Sequence, residues 1–206
     1  MQTHDPSSTL RFGAPLKQAR AAIVLVHGRG SSAEEIAGLG ESLKAVGCAF
    51  LAPSAQHGTW YPQRFFAPLT ENEPWLSGGL AVIDQLVREA GAAGLPCERI
   101  GLIGFSQGGC LALEYAARNP RRYVLIAGLS SALIGPLATL RPKGDLRGTP
   151  ILLGCAERDP HIPLEFVEKS ATDLKQLNAA VTKQIYPGAA HTVFPPEIEW
   201  LERLLP

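Results

Sequence analysis

Six short apolar runs, separated by longer stretches of helical character, constrain this chain more than any other feature. Ala21–His27 is the first and stops at Gly28; Cys48–Ala52 is the second and stops at Pro53. Arg99–Phe105, Tyr123–Ala127, Pro150–Cys155 and Ala180–Tyr186 follow. Runs this short with no polar alternation are what strands buried on both faces look like. Between them lie helical candidates. Residues 32–43 open on Ser31-Ser32-Ala33-Glu34-Glu35, a capping sequence. Residues 76–90 carry Leu80, Ile83, Leu86 and Val87 on one helical face. Residues 108–118 follow the third run directly and stop at Asn119-Pro120. Residues 164–177 and 195–205 are the last two. Strand and helix in alternation predict an α/β fold with a mainly parallel central sheet and helices on both faces. Residues 10–16 are expected to add one or two edge strands, and the stretch before them to fray. Residues 1–206 read as one domain. Residues 61–74, with Pro62, Pro68 and Pro74, form the longest irregular stretch, and a loop of that length is more often functional than idle.

Composition removes whole classes of function. Of 206 residues, 46% are hydrophobic and 18% charged, which argues against disorder. Lys plus Arg number 19, as do Asp plus Glu, so the net charge is zero. That balance argues against nucleic acid as a partner and against a polybasic membrane-surface protein. The apolar runs fall far short of the roughly 20 residues that a membrane span needs. Met1–Pro6 has no basic start followed by an apolar stretch, so a cytoplasmic location is expected. Cys48, Cys97, Cys110 and Cys155 form no C-x-x-C pair and sit in or beside apolar runs. They read as reduced, mostly buried thiols, with no zinc-ligand spacing.

Gly104-Phe105-Ser106-Gln107-Gly108 fits the pattern G-x-S-x-G, with an apolar run before it and a helix after it. That context is the one a nucleophile elbow requires. A sharp strand-to-helix turn holds the central serine in a strained conformation, and side chains two positions away on either side would collide. Ser106 is thereby presented clear of the sheet, over the positive end of a helix.

A serine nucleophile needs a base, and the base needs an orienting carboxylate. His4 lies in the segment expected to fray, His27 ends the first run, His57 lies in a loop and His161 follows Asp159 by two. His191 lies just beyond the last run, after every plausible acid, and is the base of choice. Asp159, beyond the fifth run, is the acid of choice, with Glu157 as its rival. Attack on a carbonyl creates an oxyanion that needs fixed N–H donors. The N–H of Gln107 is one candidate, and the N–H of Arg29, in His27-Gly28-Arg29-Gly30, is the other. The Arg29 side chain reads as a solvated loop charge, and His27 as a brace within its loop.

Leu25–Gly30, Gly104–Gly109, Arg158–Pro163 and Gly188–His191 together resemble the bacterial phospholipase/carboxylesterase family, from about Ala21 to the C-terminus. That family is a branch of the α/β-hydrolases that includes acyl-protein thioesterases. The resemblance implies a compact α/β-hydrolase and a serine hydrolase acting on short acyl esters or thioesters. Carried over, it makes Ser106, Asp159 and His191 a catalytic triad and Arg29 and Gln107 the oxyanion donors.

The segment Thr59–Pro74 resembles a bacterial subgroup in which Trp-Tyr-Pro walls the acyl pocket. Trp60, Tyr61, Phe65 and Phe66 are therefore candidate substrate-binding residues; the alternative is a satellite cluster beneath a long loop. No insertion between the fourth and fifth runs looks long enough for a large lid, which favours small acyl groups. The expected partner is a small-molecule ester; no metal or organic cofactor is implied. A homodimer is compatible with the sequence, and the oligomeric state stays open. A thioesterase, a lysophospholipase and a non-catalytic binding protein of the same fold are the alternatives.

Overall fold

The computed structural model describes residues 3–206. Among the described residues, seven strands form one sheet: β1 (Leu10–Gly13), β2 (Ala21–Val26), β3 (Cys48–Ala52), β4 (Ile100–Phe105), β5 (Ile126–Leu129), β6 (Pro150–Ala156) and β7 (Ala180–Tyr186). Their order is β1-β3-β2-β4-β5-β6-β7. Only β1 runs antiparallel, paired along β3 as the edge strand expected from residues 10–16. The remaining neighbours are parallel. Four α-helices among the described residues lie between strands, α1 (Ala33–Ser42), α2 (Trp75–Ala92), α3 (Gln107–Arg118) and α4 (Leu164–Gln176), and α5 (Pro195–Leu204) follows β7.

Alternate residues along β2 explain its unbroken apolar run. Ala21, Ile23 and Leu25 pack with Ile36 of α1 and Trp200 of α5. Ala22, Val24 and Val26 pack with Leu86 of α2, Leu111 of α3 and Val167 of α4. Both faces are covered, so neither parity admits a polar side chain. The chain steps from β2 outward to β3, then returns to place β4 against the other side of β2. Such a reversal opens a crevice beyond the carboxyl ends of the two strands. The loop after β2 and the turn after β4 meet there.

Two expectations shift. The fourth apolar run enters the ladder later than its composition suggests, as Ile126–Leu129. Tyr123 N–H bonds instead to the Thr149 hydroxyl at 3.0 Å, while Gly128 lets α3 approach: a Cβ there would meet the Leu113 side chain at 2.5 Å. The second correction concerns the stretch before β1. Residues 6–8 form a short 3₁₀ turn capped by Asp5, and His4 is buried, bonded to the backbone and enclosed by Trp60 and Trp75.

Candidate active site

The turn from β4 into α3 bends at Ser106, which has φ 52° and ψ −120°. A non-glycine residue there is strained and persists only because its surroundings over-determine it. Ser106 N–H bonds to Leu129 O at 2.9 Å, and Ser106 O accepts the first helical bond from Cys110 at 2.9 Å. The two flanking glycines are sterically required. A Cβ at Gly104 would lie 2.3 Å from Gly108 O, and one at Gly108 would lie 2.1 Å from Val26 O.

The structure brings Ser106, His191 and Asp159 together from the ends of three strands. His191 Nε2 lies 2.8 Å from Ser106 Oγ, and His191 Nδ1 lies 2.7 Å from Asp159 Oδ2. Asp159 Oδ1 accepts the N–H groups of His161 at 2.8 Å and Ile162 at 3.1 Å. Its side chain is fully buried, so the carboxylate cannot turn toward water. Both Asp159 oxygens accept, and the proton on the imidazole therefore belongs at Nδ1, leaving Nε2 free to receive one. The neighbouring Cys155 thiol is pushed up to about 12 by burial and by Asp159, and stays protonated. Glu157, the rival acid, is exposed and does not line the cavity.

The loop after β2 stands beside Ser106: a Cβ added at Gly28 would lie 3.5 Å from Ser106 Cβ. Arg29 N–H makes no backbone hydrogen bond among the described residues, and Gln107 N–H, at the first position of α3, has no intrahelical partner. Both are unspent donors close to Ser106. His27 is fully buried and its two ring nitrogens are committed: Nε2 accepts from Ala55 N–H at 3.0 Å, so Nδ1–H donates to Gly28 O at 2.7 Å. Burial lowers its pKa and keeps it neutral.

The Arg29 side chain departs from expectation. Instead of a solvated charge, it is a clamp: its guanidinium donates to the carbonyls of Tyr61, Pro62 and Gln63 at 2.6–3.0 Å. The Gln107 amide grips the same segment. Its oxygen accepts from Trp60 N–H at 2.9 Å, and its nitrogen donates to Tyr61 O at 2.8 Å.

A cavity of about 760 Å³ opens over Ser106. One wall comes from each face of the sheet. Ile36 and Leu39 of α1, with Phe105 and Val193, form one; Tyr61, Phe65, Cys110 and Ile162 form the other. Of the four aromatic candidates, Tyr61 and Phe65 line this cavity. Trp60 does not, because its fully buried indole points inward and donates to His27 O at 2.9 Å. Phe66 also lies outside, packed on Phe65 and Phe166. His161 stands at the rim with its ring 4.8 Å from that of His191. His57 is exposed and lies outside the cavity.

Several contributors escaped sequence reasoning. The α1 wall carries the spacing i, i+3 of Ile36 and Leu39, a signal that marks a helical face but not what the face meets. Asn72 is buried and accepts Gln63 N–H at 2.8 Å, anchoring the loop from its far end. Ser130 donates from its hydroxyl to Thr192 O at 2.9 Å, beside His191. Neither has a local sequence signature. Among the described residues, no cluster of three or more His, Cys, Asp or Glu is placed to hold a metal ion, and no helix is long and apolar enough to cross a membrane.

Comparison with known proteins places the chain in a family. The chain matches the Phospholipase/Carboxylesterase family over residues 10–205. Among solved structures, a phospholipase/carboxylesterase from Dyadobacter fermentans superposes with a TM-score of 0.94 at 40% identity, covering 100% of this chain and 99% of that one. Esterase PE8 has the same fold, with a TM-score of 0.77 at 24% identity, covering 96% and 97% of the two chains. Acyl-protein thioesterase 1 of Gibberella zeae is 34% identical over 124 residues, 59% of this chain and 53% of that protein. The chain spans about half the length of the curated relatives it matches. It belongs to the phospholipase/carboxylesterase family, a family built on the α/β-hydrolase fold.

Proposed function

We propose that this protein is a serine carboxylesterase that hydrolyses short-chain acyl esters through an acyl-enzyme. The observation that carries the reading is the unbroken line from Ser106 Oγ through the His191 ring to Asp159, with distances of 2.8 and 2.7 Å. His191 Nε2 takes the Ser106 proton as Oγ attacks the ester carbonyl. Asp159 holds the tautomer and balances the imidazolium that forms. The N–H groups of Arg29 and Gln107 receive the oxyanion. His191 then passes its proton to the departing alkoxide. Water, deprotonated by the same imidazole, attacks the acyl-enzyme, and Ser106 recovers its proton as the acid leaves.

The two walls give the acyl and alcohol groups separate apolar surfaces on either side of the nucleophile. Four free thiols fit a cytoplasmic, reducing setting. Thioester hydrolysis uses the same acyl-enzyme, and the acyl-protein thioesterase among the relatives favours it as the second reading. A p-nitrophenyl ester series from acetate to decanoate, run beside an acyl-CoA series, tests both. The highest kcat/KM on acetate or butyrate, lost in Ser106→Ala, is expected. A maximum at decanoate, or faster turnover of the thioesters, overturns the short-chain ester reading.

A further inference from the structure

His4 lies far from the chemistry in sequence and outside the cavity, yet it is only 2% exposed. Its ring sits between two indoles, 5.2 Å from Trp60 and 5.4 Å from Trp75 between centroids. Both nitrogens are used. Gln56 N–H points at Nδ1 from 3.2 Å, so Nδ1 carries no proton; Nε2–H then donates to Trp60 O at 3.1 Å. The residue before it is seated just as closely, since a Cβ at Gly78 of α2 would fall 1.6 Å from Thr3 Oγ1. The segment is docked into a notch.

What His4 holds is Trp60, and Trp60 reaches both sides of the oxyanion hole. The indole N–H bonds to His27 O at 2.9 Å, and its ring lies 5.1 Å from the His27 ring, two residues before Arg29. The backbone N–H of Trp60 bonds at 2.9 Å to the side chain of Gln107, the residue that offers the second donor. We propose that His4 is a positioning residue for the oxyanion hole: by holding Trp60 it sets the β2 loop and the start of α3 together. The inference rests on the hydrolase reading above.

Donor alignment matters only as charge develops on the carbonyl oxygen. Its loss therefore lowers kcat and leaves KM nearly unchanged. Two conservative variants separate the bonds. In His4→Gln the amide nitrogen reaches the place of Nε2 and still donates to Trp60 O. In His4→Asn the amide oxygen reaches the place of Nδ1 and serves only Gln56. Turnover of p-nitrophenyl acetate is measured per active site, titrated with a fluorophosphonate. His4→Ala and His4→Asn should lose about tenfold in kcat per site with KM within about twofold, and His4→Gln should recover most of the loss. A merely structural role would reduce the titratable fraction and the melting temperature but not kcat per site. The inference is overturned if His4→Ala turns over within twofold of the parent per site, or if Asn rescues as well as Gln. Should His4→Ala fail to fold, the Gln and Asn variants decide. A parent without Ser106-dependent turnover overturns the hydrolase reading, and this inference with it; an active parent with an indifferent His4 overturns the inference alone.

Discussion

Asp159→Asn isolates the carboxylate without disturbing its shape. In the parent, Asp159 Oδ1 accepts two backbone N–H groups, from His161 and Ile162, and Oδ2 faces His191 Nδ1 at 2.7 Å. The asparagine carbonyl oxygen must take over the two N–H groups, because an amide nitrogen there would point hydrogens at hydrogens. The amide nitrogen is then forced toward Nδ1. Nδ1 becomes an acceptor, the ring proton moves to Nε2, and that proton points at Ser106 Oγ from 2.8 Å. The imidazole is present but its Nε2 can no longer accept a proton. A wrong tautomer of this kind costs about 10⁴-fold in kcat, about 5 kcal/mol of transition-state stabilisation. The melting temperature should change little, since both backbone bonds survive. The assay is kcat for p-nitrophenyl acetate together with the rate of fluorophosphonate labelling, both of which should fall in parallel. Glu157→Gln is the control and should stay within twofold. A folded Asp159→Asn variant within tenfold of the parent would refute the reasoning.

Glu197, in the first turn of α5, is fully buried with one oxygen unpartnered among the described residues, and burial pushes its carboxyl from 4.5 up to about 7. The folded value lies above the unfolded one, so its contribution is complete below pH 4.5 and lost as pH rises toward 7, by about 3 kcal/mol. Glu197→Gln should flatten that loss and be more stable than the parent at pH 8; urea midpoints that fall equally in both proteins from pH 5 to 8 contradict it. Arg29→Ala keeps the backbone donor but releases three carbonyls of residues 61–63. It should raise KM for butyrate esters about three- to tenfold, more than it lowers kcat, and a variant with unchanged KM would show that the clamp does not shape the wall.

The parts of the fold legible in the sequence are those where one physical demand dominates. Strand β2 is covered on both faces and shows a purely apolar run, so its position and its parallel neighbours follow. The elbow is legible because Gly104 and Gly108 have no alternative: any side chain would meet backbone within 2.3 Å. What stayed hidden depends on contacts between distant segments. The N–H of Tyr123, ahead of β5, is taken by a hydroxyl 26 residues away, at Thr149. Trp60 and Phe65 look alike as aromatics in one loop and both are buried; the bond from the indole to His27 O marks the one that turns away from the cavity. His4 near the start of a chain carries no local sign that two tryptophans enclose it. Arg29 resembles any loop arginine until the carbonyls of residues 61–63 turn toward it.

The most direct test of the account is the mass of the protein after treatment with an alkyl fluorophosphonate, followed by peptide mapping. A single adduct is predicted, carried by the peptide containing Ser106, with ester hydrolysis lost in step with labelling and both absent from Ser106→Ala. An unmodified folded protein, or an adduct elsewhere with Ser106→Ala still hydrolysing esters at the parent's rate, would contradict it.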